Sequence, residues 1–238
     1  SSIKFDYSYK DEDMSKLLGK VLKGFKAIRV HGSRDYFEIR NKFKYEIVPV
    51  LDIKNAKKAV NVTDMSPLHV SWVKKHAKYA DEIRLSKLFC KAQNCYGAES
   101  YIRGFSGHVL DILTIHYKGF LGLLKAARKW KQFDAIDFYN HYKGKAFDEL
   151  NKSKISPLIV IDPILPVRNA AAALSLEKFE VFKKAAKDFL AKPAKEFFVK
   201  KEFSIDEIKK KVKSNKLMIL EIQPLKGKED IVGTKLLK

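Results

Sequence analysis

The stretch HVLDILTIHYKGFLGLL, residues 108–124, most constrains what this chain can become. It is the longest apolar run, yet Asp111, His116, Lys118 and Gly119 break it. A bilayer-spanning helix needs about 20 predominantly apolar residues, so this is not a membrane span. It reads instead as a strongly apolar helix from about Gly107 to Tyr117, interrupted at Gly119 and resumed in FLGLLKAARKW. Just upstream stands CYGAESYIRGFSG, with three glycines, two tyrosines and an arginine. Gly104 and Gly107 permit positive φ or close backbone approach, Arg103 offers a guanidinium fork, and Ser106 can cap the helix. The segment is consistent with an anion site at a helix N-terminus, the glycines making room for the ligand. It is not a P-loop, because the spacing is wrong and Gly-Lys-Ser/Thr is missing.

The 238 residues accommodate one large domain, or two small ones plus a fragment. Hydrophobic residues at 46% supply a real core, which excludes global disorder. The charge is one-sided: 48 Lys+Arg face 28 Asp+Glu, a formal +20. This predicts a polyanionic partner, nucleic acid before anionic membrane. A Lys-rich solvated surface is the alternative, since the lysines are spread along the chain. Cys90 and Cys95 form no CxxC pair, so a zinc ribbon and a thioredoxin-like motif are excluded. Without a secretion signal or a span, a cytoplasmic protein with no disulfide is expected.

Along the chain, SIKFDYSY alternates with strand periodicity, and DEDMSKLLGKVLKGF follows with helical spacing. Strands are expected around DYFEIR and KYEIVPVLDI, so residues 1–53 read as β-α-β-β. Residues 54–202 read as helical. SPLHVSWVKKHA has Ser66 as N-cap and Pro67 at the first helical position. DEIRLSKLFCKAQ places Arg84, Lys87 and Lys91 on one face. SPLIVIDPI is a short buried strand, and LSLEKFEVFKKAAKDFLA turns Phe179, Phe182, Ala186 and Phe189 inward. From Phe203, a capping box at Ser204 and Glu207 and a strand KLMILEIQP open a third unit, 203–238, too short to bury a core. The expected class is α+β: a partial sheet domain, a helical central domain and the start of a third α+β domain.

Several residues suit chemistry. Asp6 and Glu46 lie on strands that can be neighbours, and converging strand carboxylates hold Mg²⁺ against a triphosphate. Isolated strand acids of this kind are mostly solvated or ion-paired. Glu46 is expected beside Val48 and Val50 on an apolar sheet wall. His69, in the first turn of a helix, suits a phosphate or a local backbone bond. Lys87 is a point charge for phosphate or part of a solvated face. Tyr96 beside Gly97 suits a ribose or base, or the core. Arg168 and Asn169 can present planar donors and acceptors to a nucleobase, with an Arg168–Asp162 pair as the alternative.

The order and spacing of YEIVPV, SPLHVSW, EIRLSKLFCKAQNCYGAESYIRGFSGHVLDIL and DPILPVRNAAAALS resemble the archaeal-type (class I) CCA-adding tRNA nucleotidyltransferases. The likeness covers nearly the whole chain, from inside a catalytic palm domain to the edge of a third, RNA-binding domain. Glu82–Leu113 is its most specific part. Poly(A) polymerases and oligoadenylate synthetases resemble this spacing less well. The resemblance implies template-independent addition of C, C and A to the tRNA 3′ end from CTP and ATP. The 3′ hydroxyl attacks the α-phosphate, pyrophosphate leaves, and Mg²⁺ ions assist. By position it implies that Asp6 and Glu46 are metal-binding catalytic carboxylates. His69, Lys87, Tyr96 and Arg168 would bind the nucleotide, and Arg103 would lie near the site. Implied partners are the tRNA 3′ end, a separate N-terminal palm fragment and a second copy of the chain.

Two departures carry an expectation of their own. Lys4 stands where the family's first acid is expected, and the Gly-Ser triphosphate loop would precede Ser1. A lysine in a divalent site, at ~4 Å and an effective dielectric near 20, repels the ion by several kcal/mol in order of magnitude. The chain is therefore expected to bind nucleotide weakly and not to transfer it by itself. It would then be a fragment or split form of the enzyme, or a non-catalytic RNA-binding relative.

Overall fold

The computed structural model describes residues 1–200, together with 209 and 212–214; the expected third unit lies outside the described residues. The chain divides into two compact units at Ala77/Lys78.

The first unit carries β1 (Ser2–Phe5), α1 (Met14–Val21), β2 (Ala27–Val30), β3 (Tyr36–Arg40), β4 (Lys44–Leu51) and α2 (Ser66–Lys74). Its sheet runs β1-β4-β3-β2, with β1 parallel to β4 and the other pairs antiparallel. Asp13 starts α1 by accepting the Lys16 N–H at 2.9 Å. Met14 on α1 then packs with Leu51 and Ile53, flanked by Phe5 and Leu68. β2 was not legible in the sequence, being four residues with no buried position to alternate against. β1 is shorter than its alternation suggested, because Asp6 bends the chain into a 3-10 turn at Tyr7–Asp11. Ser66 is the first residue of α2 and Met65 its cap, since a 3-10 turn at Val62–Met65 runs straight into the helix.

The expected boundary after Ile53 does not coincide with this division, and one buried carboxylate supplies the physical reason. Asp64 is fully buried. It accepts the Leu51 N–H of β4 at 2.9 Å and the Asn61 N–H at 2.9 Å, and it pairs with the Arg34 guanidinium. Segment 54–77 is thereby tied to the sheet.

The second unit holds α3 (Ala80–Ala92), α4 (Gly107–His116), α5 (Phe120–Ala127), β5 (Asp134–Ile136), α6 (Ala146–Glu149), β6 (Leu158–Asp162), β7 (Leu165–Asn169) and α7 (Leu176–Ala191). Its core is aromatic. Phe89 is fully buried, and its ring centroid lies 5.4 Å from Phe120, 5.9 Å from Phe182 and 5.8 Å from Phe189. Burying each such side chain stabilises by roughly 1.5–3 kcal/mol. The inward face expected for α7 is observed. Gly119, at φ 125°, breaks α4 from α5, and the Glu82 carboxylate of α3 accepts the Phe120 N–H at 2.7 Å across the break. The buried strand is β6, parallel to β5 and antiparallel to β7. The double-proline turn is thus a hairpin, and Pro166 fits because β7 is an edge strand among the described residues. Cys90 and Cys95 are buried free thiols, Sγ to Sγ 3.4 Å. Among the described residues, no helix is long and apolar enough to cross a membrane.

Candidate nucleotide site

In the second unit, α3 and α4 bring Lys87, Tyr96 and Asp111 around Gly107. Lys87 Nζ lies 2.7 Å from Asp111 Oδ1, with 29% and 13% of the two side chains exposed. A methyl group on Gly107 would stand 2.9 Å from the Tyr96 hydroxyl and 3.7 Å from Lys87 Nζ. The absent side chain therefore leaves these two polar ends on one side of the α4 N-terminus. Burial pushes the Tyr96 phenol up; the Lys87 ammonium opposes this and Asp111 adds to it. The phenol consequently stays protonated as a hydrogen-bond donor. Ser106 caps α4 as expected, its hydroxyl accepting the Val109 N–H at 3.2 Å.

The loop before α4 corrects one expectation. Its glycines serve the chain's own backbone more than a ligand. A methyl on Gly104 would lie 2.1 Å from the Cys95 carbonyl oxygen. Phe105 N–H donates to Cys95 O at 2.8 Å, Gly97 N–H to Phe105 O at 2.8 Å, and Gly104 N–H to Gly97 O at 2.7 Å. The loop closes on itself, and this fixes Tyr96. Arg103 is exposed with φ 54°, and its carbonyl accepts the Ser175 N–H at the start of α7.

Arg168 on β7 pairs with the buried Asp162 at 2.6 Å, the alternative weighed for it, with 30% of its side chain still exposed. Asn169 is corrected outright: its amide is consumed by Val160 N–H, Ala171 N–H, the Lys154 carbonyl and the Ser156 hydroxyl, and only 3% of it is exposed. It is a structural asparagine.

In the first unit, β1 and β4 are neighbours, as expected, but they do not bring Asp6 and Glu46 together. Phe5 stands opposite Leu51, so Asp6 is level with Asp52. That is six residues beyond Glu46 along β4, roughly 20 Å at ~3.3 Å per residue. Asp6 instead accepts from Ser8, by N–H at 2.9 Å and by hydroxyl at 2.7 Å, bonds that lower its pKa. Glu46 is half exposed rather than on an apolar wall, and it stands opposite Glu38 on β3. The Lys44 ammonium bridges both acids, at 3.0 Å from Glu46 and 2.6 Å from Glu38. Lys4 pairs with Asp52 at 2.7 Å. His69 is half-buried in the first turn of α2, as expected.

Sequence reasoning missed Asp111 and Lys44. Asp111 registered only as a break in an apolar run; its four-residue spacing from Gly107 is the signal that puts it on the side of α4 where Lys87 and Tyr96 stand. Lys44 carried no signal, since its role depends on strand register.

The comparisons with known proteins agree with this architecture. Residues 81–199 match the family model described as tRNA nucleotidyltransferase, second domain. The chain is 45% identical over 184 residues to the CCA-adding enzyme of Nanoarchaeum equitans, covering 74% of this chain and 47% of that protein. It is 36% identical over 194 residues to the CCA-adding enzyme of Saccharolobus shibatae, covering 81% and 44%. The chain thus spans a little under half the length of these curated relatives. In fold it is similar to a chain from the structure titled for a cytoplasmic RNA terminal U-transferase, with TM-score 0.57, 10% identity and 85% of this chain and 80% of that one covered. It is also similar to a chain of the E. coli MS115-1 CdnC:HORMA-deltaN complex, with TM-score 0.54, 15% identity and coverages of 83% and 72%. With its α3–α7 unit matched across residues 81–199, the chain belongs to the tRNA nucleotidyltransferase family, alongside the archaeal CCA-adding enzymes.

Proposed function

We propose that the chain is part of a cytoplasmic enzyme that adds C, C and A to the tRNA 3′ end from CTP and ATP without a nucleic-acid template. The observation that carries this is the Lys87–Asp111 pair beside the Tyr96 hydroxyl at Gly107, within a unit matched by the family model. In this reading Lys87 meets a phosphate of the bound triphosphate as a point charge. Tyr96 donates its hydroxyl hydrogen to the ribose or a phosphate oxygen. Arg168 presents its exposed edge to the base while Asp162 fixes the guanidinium. Arg103 contributes to anion binding on the same unit, and His69 to anion binding within the first unit.

Mg²⁺ is the cofactor that the family implies. The donor pair expected for it does not fit. Asp6 and Glu46 are about six residues of strand apart, and Glu46 is held by Lys44. No step is therefore assigned to metal-assisted attack by these two residues. This favours a chain that needs further carboxylates from a palm segment, supplied separately or by a partner copy, before it can transfer a nucleotide.

The test is incorporation of labelled CMP and AMP into tRNA lacking CCA, with the chain alone and with a nucleotidyltransferase palm segment added. Incorporation is expected only in the second case, and Lys87→Ala should lower CTP affinity roughly tenfold, as for removal of a charged hydrogen bond worth ~1.5 kcal/mol. A reconstituted mixture that stays inactive while a full-length relative works, but still binds tRNA with a steep salt dependence, would favour the non-catalytic RNA-binding reading.

A further inference from the structure

A second feature of the α3–α7 unit is not used by the nucleotide site. Beside the C-terminal end of α3 lies an open groove of about 400 Å³, lined by Lys91, Asn94, Tyr96, Tyr101, Lys178 and Lys200, with Ile102 on its wall. That volume is in the range of small-ligand sites, roughly 300–1,000 Å³. Among the described residues, the lining holds three lysines and no carboxylate. Lys178 reaches Glu177 at 3.0 Å, and Glu177 itself is largely exposed. Lys91 Nζ sits 4.8 Å from the centroid of the Tyr96 ring, so the cation is held over an aromatic face instead of against an acid. Tyr101 leaves 47% of its surface exposed.

We infer that this groove binds single-stranded RNA, with Lys91, Lys178 and Lys200 on consecutive phosphodiesters and Tyr101 stacking against a base. The chemistry is that of strand-tracking sites, which combine a cationic channel with aromatic platforms and need no sequence readout. A free polyphosphate would use the lysines and leave Tyr101 idle. A protein or membrane surface would not match a concave site of this volume. The placement also has a logic. Tyr96 turns its hydroxyl toward Gly107 and Lys87 while its ring lies under Lys91, so one tyrosine borders both the proposed nucleotide site and the groove. This inference rests on the reading above for its substrate class, and it adds a strand-binding surface that the reaction itself does not require.

The test is fluorescence anisotropy of a 5′-labelled single-stranded RNA octamer with the whole chain across a salt series. The double variant Lys91→Gln/Lys178→Gln should weaken binding roughly tenfold or more and lower the log–log salt slope by about 1.4, about 0.7 for each phosphate no longer neutralised. Tyr101→Ala should weaken it by about tenfold, and Tyr101→Phe, which keeps the platform, should bind as the parent does. Lys125→Gln/Lys129→Gln removes the same charge from exposed positions elsewhere on the unit. If it weakens binding as much as the groove pair, the groove is overturned. If inorganic pyrophosphate displaces the octamer and Tyr101→Ala binds normally, the site takes free polyphosphate and the strand assignment falls. CTP titration separates this from the nucleotide site. Lys87→Ala should lose CTP and keep RNA, and the groove pair the reverse. Retained RNA binding through the groove with no CTP binding, even with the palm segment added, would sink the nucleotide-site reading alone.

Discussion

Each unit holds a lysine among acids, and the two arrangements are not equivalent. In the first, Lys44 bridges Glu38 and Glu46 across a sheet surface, with about half of Lys44 and Glu46 exposed to water. In the second, Lys87 meets Asp111 between two helices that rest on the Phe89 aromatic core, mostly out of solvent. An exposed pair is weakened by solvent and salt and carries little stability. A partly buried pair fixes where a charge can stand. The difference teaches that a packed core fixes where a charge can stand, as it does for the Lys87–Asp111 pair in the second unit and for the buried Arg34–Asp64 pair in the first.

The largest expected effect tests the packed side of that contrast. Gly104→Ala drives a methyl into the Cys95 carbonyl at 2.1 Å, where backbone must move. It should cost on the order of 4 kcal/mol, at the top of the single-substitution range. The measurement is thermal denaturation, and unaltered melting would show that the loop closure does not hold Tyr96.

Asp64→Asn comes next. It leaves Arg34, itself mostly buried, without its charge partner and should destabilise the first unit by about 3 kcal/mol. Its pH dependence sharpens the point. Burial alone would raise the Asp64 pKa, but the Arg34 bond and the backbone donors Leu51 and Asn61 bring it below the ordinary 3.8. The folded state thus holds the carboxylate charged more firmly than the unfolded chain does. This contribution is complete above pH 3.8 and is lost as pH falls through the lowered folded value. Acid denaturation followed by circular dichroism should be steeper below that pH for the parent than for Asp64→Asn. Equal slopes would break the argument.

The smallest effect belongs to Lys44→Gln. Glu46 is half exposed, and the buried Glu38 keeps the Arg40 guanidinium at 3.0 Å, so melting should stay close to the parent, with most of any change vanishing at high salt. A marked, salt-independent loss would mean that the two clusters are alike after all.

Much of the fold was legible because it rests on local pattern. α1, α3, α4, α5 and α7 follow from 3.6-residue spacing, with Ser106 legible as a cap and the Asp13 and Ser175 caps seen in the structure. β4 and β6 announce themselves by apolar runs. β2, β5 and β7 were hidden, since a strand of three to five residues with mixed exposure has no period to detect. In the site, Ser106 stood out as a helix cap, and Lys87 and Tyr96 through the family resemblance. Asp111 did not, because its spacing from Gly107 gives the side of α4 it takes but not that Lys87 of α3 stands opposite.

The sequence by itself determined the class of the chain, its cationic surface and the helices of the second unit, because composition and periodicity act over neighbouring residues. Only the tertiary structure decided that Asp6 and Glu46 sit at opposite ends of paired strands, that Asn169 is consumed by backbone, and that the glycines of the 95–107 loop make room mainly for the chain itself. Register and close approach depend on residues far apart in the chain, and one step in strand pairing moves a carboxylate by ~3.3 Å and to the other face of the sheet.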